Sequence, residues 1–132
     1  MQRPGDYNLA SVDLTAALTG QTYTAIEDLD GMTAATLICA FGYGSGGTSV
    51  AVKVQTSGDG VLWYDVARFD FLTTSATKVA NLSGLLSKAV TSYAALSVEG
   101  VLDGVLGTQF RANITSVGVF AGTTVSVRAI VR

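Results

Sequence analysis

Histidine is absent from this chain of 132 residues. Its absence removes the commonest general base and the commonest metal ligand, so a Ser-His-Asp triad cannot be assembled however many serines are present. Cysteine occurs once, at Cys39, which excludes an intrachain disulfide. Cys39 alternates with Leu37 and Phe41 and reads as a small buried hydrophobe. Charge is scarce, at 14% of residues against a usual level of about 25%. The cations Arg3, Lys53, Arg68, Lys78, Lys88, Arg111, Arg128 and Arg132 are scattered and the net charge is −2, so the electrostatic footprint of a nucleic-acid binder is missing. No apolar run approaches the ~20 residues that span a bilayer. Met1 to Ala10 is polar and contains Asp6, which does not read as a secretory signal. These deficits lead us to expect no catalytic residue, no metal, no cofactor, no nucleic acid and no membrane.

What is present is apolar and β-forming. Hydrophobic residues make up 48% of the chain, and the length suits one domain with a real core. Low charge leaves little self-repulsion to oppose association. We therefore expect a subunit that hides part of its surface against neighbours.

The organising stretch is Thr48 to Phe71. Val50, Val52 and Val54 alternate with Ala51, Lys53 and Gln55, the period of a strand with one dry face. Ser57-Gly58-Asp59-Gly60 supplies a tight turn, and Trp63, Tyr64, Asp65 and Val66 begin the return strand. Upstream, residues 1–20 form an N-terminal arm or first strand. Met1 to Tyr7 is polar and broken by Pro4-Gly5, and Asn8 to Leu18 reads either as a strand or as an extended segment lying on a neighbour. Residues 21–132 form a single β-sandwich domain. Within it, Gln21 to Ile26 and Thr33 to Phe41 are strands. In the second, Ala35, Leu37, Cys39 and Phe41 share one face and Thr36, Ile38 and Ala40 the other, so that it is expected to be covered on both sides.

Downstream, Ala76 to Asn81, Gln109 to Thr115 and Thr123 to Val131 alternate as strands, with Phe110, Ala112, Ile114, Val125, Val127, Ala129 and Val131 inward. Gly84 to Val101 is ambiguous: Leu86, Val90, Tyr93 and Ser97 fall at helical spacing, whereas Ala94 to Val98 could equally be a strand. Eight short strands bounded by turn residues, with no strong helix between them, predict an all-β antiparallel two-sheet sandwich. A jelly roll is the first choice and an immunoglobulin-like sandwich the alternative.

Several stretches touch on chemistry. Gly42-Tyr43-Gly44-Ser45-Gly46-Gly47 satisfies G-x-G-x-x-G, but a valine-alternating strand follows where the dinucleotide fingerprint needs a helix, so it reads as a flexible hairpin loop and a mobile contact point. Asp28, Asp30 and Asp59 lie in turns and read as solvated rather than calcium-binding. Asp65 and Asp70 flank the aromatic strand without the opposed placement a glycosidase needs, and read as solubilising edge residues. Asn81-Leu82-Ser83 and Asn113-Ile114-Thr115 match the glycosylation sequon but read as strand residues. Trp63 and Tyr64 fall on opposite faces of one strand, so one is expected in the core and the other at an interface or sugar platform. The interface candidates are Tyr7, Leu9, Tyr43, Trp63 and Tyr64.

Val52-Lys53-Val54-Gln55-Thr56-Ser57-Gly58-Asp59-Gly60 followed by Trp63-Tyr64-Asp65-Val66 resembles a pattern of small phage virion proteins, in which a valine-rich strand runs into QTS-x-DG and then a W-x-D-V/I strand. Gly104-Val105-Leu106-Gly107, Phe110-Arg111-Ala112, Thr115-Ser116 and Val125-Ser126-Val127-Arg128 are similar to the same group. The resemblance, over roughly Thr33 to Arg132, is to capsid decoration (cement) proteins of tailed bacteriophages. It implies a jelly-roll or sandwich fold, the major capsid protein as partner, a homo-oligomer (dimer or trimer), and a place on the capsid exterior of a virion made in the bacterial cytoplasm. S-x-DG-x-x-W also resembles the turn of discoidin-type carbohydrate-binding sandwiches. A carbohydrate-binding module of a tail or fibre, or a head–tail junction or tail protein, is the alternative.

Overall fold

The computed structural model describes residues 3–132, and it is all-β. The long strands are β1 (Gly5–Leu14), β3 (Ala34–Gly42), β5 (Ser49–Ser57), β6 (Tyr64–Phe71), β7 (Ala76–Ser83), β9 (Gln109–Val117) and β11 (Thr123–Val131). Four two-residue strands join them: β2 (Gln21–Thr22), β4 (Ser45–Gly46), β8 (Gly100–Val101) and β10 (Phe120–Ala121). One antiparallel sheet has four strands in the order β1-β11-β3-β7, and the other has five in the order β2-β9-β5-β6-β8. With the short β4, β8 and β10 set aside and the other eight strands numbered in chain order, the first, eighth, third and sixth lie in one sheet while the second, seventh, fourth and fifth lie in the other. That interleaving, in which the chain crosses between the sheets at every step except the β5–β6 hairpin, is the two-Greek-key order of a jelly roll. The immunoglobulin-like alternative is set aside by this strand order.

The strands expected from period-two alternation all have counterparts here, though the one expected over Gln21 to Ile26 is regular only at Gln21–Thr22 and rejoins the sheet by a single bridge at Ile26. The reason is visible in the side chains. Val50, Val52 and Val54 of β5, Phe110, Ala112 and Ile114 of β9, and Val125, Val127, Ala129 and Val131 of β11 all lose their exposure to one core between the sheets. A one-residue slip in any of them would turn the whole apolar set to solvent, so the register is fixed by burial.

Residues 1–20 resolve in favour of the first strand. Gly5–Leu14 pairs with β11 from Gly5↔Val131 to Leu14↔Thr123, with a bulge at Leu9, and closes one edge of the four-stranded sheet. Met1 and Gln2 lie outside the described residues. The Gly84–Val101 question resolves as neither helix nor long strand. After a turn at Gly84–Leu85, residues 87–97 run as irregular chain until β8. Residues 118–122 form more than a loop, because β10 pairs with β4 and seats Phe120 in the core at 2% exposure.

Cys39 is fully buried, and burial pushes its thiol up to about 12, with Lys78 pulling weakly the other way. Since the thiolate is the reactive form, native protein is expected to resist a thiol reagent at pH 8. Its labelling rate should match that of the chain in denaturant only once the core is opened. A rapid native reaction would contradict this packing.

Candidate functional site

The outward face of the five-stranded sheet carries a row of polar side chains that the hairpin register brings together. The pairings Gln55↔Asp65, Lys53↔Arg68 and Gln55↔Arg111 set these groups side by side. Asp65 is at the centre and only 2% exposed. Its Oδ1 accepts from Gln55 Nε2 at 2.8 Å. Its Oδ2 meets Lys53 Nζ at 3.0 Å and accepts from the Leu96 N–H at 3.0 Å. Its own N–H donates to the Tyr93 hydroxyl at 2.8 Å. Burial pushes the Asp65 carboxyl up, but the hydrogen bonds from Gln55, Lys53 and Leu96 outweigh it and hold the group below the usual carboxylate range. Asp65 is therefore not a solubilising edge residue. It is the anchor for residues 87–97, which cross the outside of the sheet as a strap.

A second anchor lies further along. Arg68 Nη1 donates to the Leu96 carbonyl at 3.0 Å and its Nε to Asp70 Oδ1 at 2.8 Å. Glu99 Oε2 accepts from the Asp70 N–H at 2.8 Å and from Lys78 Nζ at 2.6 Å. Those two bonds hold Glu99 below the ordinary glutamate range, with the lysine contributing most.

The strap encloses a shallow groove of about 320 Å³. Tyr64 and Tyr93 form one wall, edge to face with centroids 4.9 Å apart, and Val90, Ala94, Leu102 and Val105 line much of the rest. Both carboxylate oxygens of Asp65 are engaged within the chain, and no group of three or more His, Cys, Asp or Glu that could hold a metal occurs among the described residues. Nothing in this arrangement pairs a nucleophile with a base. It is suited to holding chain and surface in place.

The opposite surface, the outer face of the four-stranded sheet, is different in kind. Thr36, Ile38 and Ala40 of β3 lie beside Val79 of β7 on one side and Ser126, Arg128 and Ile130 of β11 on the other. All but Val79 and Arg128 are half-buried, and those two are exposed. Within the chain no further layer covers this side of β3: neighbouring strands flank these side chains, but the strap crosses the other sheet. Of the charges here, Arg128 and Asp6 hold each other in a bidentate pair at 2.9–3.1 Å, while the Arg132 guanidinium reaches the Thr36 hydroxyl at 3.5 Å and Asp13 lies outward on β1.

The five interface candidates are dispersed. Leu9 sits at the β1 bulge and is 3% exposed, so it is a core residue with no surface to offer. Tyr7 is half-buried against the same core and its hydroxyl donates to the Arg3 carbonyl. Tyr43 stacks on Phe41 and meets Phe120 edge-on, while its hydroxyl donates to the Gly46 carbonyl at 2.9 Å. The loop Gly42 to Gly47 is thereby tied down rather than mobile, with Ser45–Gly46 paired to β10. Trp63 precedes β6 rather than belonging to it, and neither Trp63 nor Tyr64 enters the core. The Arg111 guanidinium covers the indole, 4.2 Å from its centroid, and the indole N–H donates to the Gly60 carbonyl. Asp59 is spent on its own turn, accepting from the N–H groups of Leu62 and Val61, which lower its pKa.

Sequence reasoning missed Asp65 as an anchor and the strap it holds. The signal available was the polar pair Lys53 and Gln55 on the facing strand of the same hairpin, sharing Asp65's side of the sheet. Neither a family model, nor a curated protein, nor a solved structure matches the chain.

Proposed function

We propose that this chain is a structural virion protein: a decoration protein that binds the outside of a tailed phage head and bridges major capsid subunits. The observation that carries the reading is the outer face of the four-stranded sheet. Ile38, Ala40, Val79 and Ile130 form an apolar centre rimmed by Thr36 and Ser126, and the Arg128–Asp6 pair neutralises the charge beside it. The centre of such a face can be pressed against another protein without stranding an unpaired charge, with Arg132 and Asp13 left towards its margin. Two further points support the reading. The jelly roll recurs among viral capsid domains, and the hairpin from Val52 to Val66 resembles those of phage cement proteins. The Trp63 ring, partly covered by Arg111, and the Tyr43 hydroxyl, bonded to Gly46, leave the sugar-platform alternative with less support.

The mechanism is mass action. A protein that binds only the assembled, expanded shell stabilises that shell by its binding free energy. Many copies on one lattice then add avidity when they are linked. Purified protein is expected to co-sediment with expanded capsids of its phage and not with unexpanded ones. Ile130→Lys, which places a charge in the middle of the proposed contact, should weaken that binding at least about tenfold, a loss of ~1.4 kcal/mol. Absence of the wild-type chain from the capsid pellet would overturn the reading.

A further inference from the structure

Independently of any capsid, we propose that β7 is a self-association edge, at which a second copy of this chain adds its own β7 antiparallel about a two-fold axis. The edge strands differ in how they are protected. β2 and β8 are two residues long. β1 is long but bulged at Leu9 and carries Asp6, Asn8 and Asp13 outward. Bulges, short strands and charges are the usual means of blunting an edge. β7 has eight residues, pairs with β3 in unbroken register, and contains neither proline nor bulge. Its one charge, Lys78, is held within the chain by Glu99 Oε2 and the Asp70 carbonyl, each at 2.6 Å. It is not left to repel an incoming strand.

The register follows from the backbone. Gly84 donates its N–H towards the β3 side, to the Thr33 carbonyl, whereas Ser83 donates to Asp103 Oδ1 at 2.7 Å. In an antiparallel ladder, alternate residues turn their N–H and C=O to the same side. Asn81, Val79 and Thr77 therefore turn theirs off the edge, with Ser83 already capped by Asp103. Only one two-fold register engages all three of these residues on both copies: Val79 opposite Val79, and Thr77 opposite Asn81 in each direction. A shift of two residues either way leaves one of the three without its partner or opposes it to the capped Ser83.

The side chains agree with that register. Val79 is 68% exposed and would meet its own copy, extending the Ile38–Val79 apolar row across the axis. Lys78 would face Ala80 rather than another lysine. Beside the edge, between β7 and the Gly100–Val101 strand, lies an open slot of about 460 Å³. The product is a continuous sheet in the order β1-β11-β3-β7-β7-β3-β11-β1.

Sedimentation equilibrium of the isolated wild-type chain across a concentration series tests this, without capsids. The expected result is a reversible dimer. Val79→Lys sets like charges directly opposite each other at the axis and should leave only monomer, with an unchanged circular-dichroism spectrum. Val79→Cys should form a disulfide-linked dimer on mild oxidation, while Val117→Cys, exposed on another strand, should not; this arm stands even if the lysine variant folds poorly. A wild-type chain that is monomeric throughout, an oligomer that survives Val79→Lys, or equal cross-linking from both cysteines would overturn the proposal. The capsid pelleting of Ile130→Lys is unaffected by any of these outcomes, because Ile130 lies two strands from this edge.

Discussion

Asp65→Ala is expected to cost about 2–4 kcal/mol of folding stability, read as a lowered denaturant midpoint, and to release the strap. Removing one partner from a buried ion pair typically costs about 3–5 kcal/mol, because the other charge is left without compensation. The lower range here reflects Lys53, whose side chain is 26% exposed and can turn to water. Gln55 Nε2 and the Leu96 N–H, both on half-buried residues, each lose an acceptor. The consequence should be local first. Residues 85–95 are exposed throughout, and Tyr93, Leu96 and Glu99 provide their ties to the sheet. Amide exchange at Leu96 should accelerate in Asp65→Ala before the β5–β9 ladder is affected, since regions with few buried contacts open at lower free energy.

The same carboxylate sets a pH dependence. Its folded pKa lies below its unfolded value, near 3.9 for an aspartate in an unstructured chain. A depressed carboxylate contributes stability that is fully present above the unfolded value and is lost as pH falls through the folded one. Glu99 is shifted in the same direction, so both anchors weaken together in acid. Tyr93 and Leu96 resonances should therefore move below about pH 4 while core resonances hold. Asp65→Asn should remove most of that shift. A strap that behaves identically in wild type and Asp65→Asn would remove Asp65 from this role.

The ease with which the fold could be read differed sharply between its parts, and the difference has a physical origin. β5, β9 and β11 are buried on one face only, so every second residue carries the same information and errors cancel along nine residues. The strap has no such redundancy. It is held by single contacts from Asp65 and Arg68, some 28 to 31 residues earlier in the chain, and a lone aspartate on a strand looks like a solvated one. Trp63 misled for a related reason. A large aromatic is expected to seek the core, but this one sits just before the start of its strand, where a guanidinium supplies the cover that the core would otherwise give. The outer face of β3 looked like buried surface because Ile38 and Ala40 are apolar. In the isolated chain, flanking strands shield them only in part, and that remainder is what makes the face a candidate for contact with another protein.

Gly47→Ala is the second large effect, and it bears on the loop that the sequence presents as flexible. Gly47 has φ +66°, and a Cβ built there would lie 2.3 Å from the Phe120 ring. The left-handed backbone costs a non-glycine residue roughly 1–2 kcal/mol, and forcing a side chain into a filled core about 1–3 kcal/mol more. Phe120 cannot yield cheaply. It is 2% exposed and meets Phe41 and Tyr43 edge-on, at centroid distances of 6.1 and 6.2 Å. We expect Gly47→Ala to lower stability by about 2–5 kcal/mol, and the melting temperature by roughly 6–25 °C. The two contributions can be separated. Phe120→Leu removes the ring that the new methyl strikes, so Gly47→Ala should cost about 1–2 kcal/mol in that background, leaving only the backbone strain. If Gly47→Ala cost the same with and without the ring, the clash would not be the cause. If it cost nothing in either, the loop would indeed be as free as its glycines suggest, and the pairing of Ser45–Gly46 with Phe120–Ala121 would not be what closes this end of the sandwich.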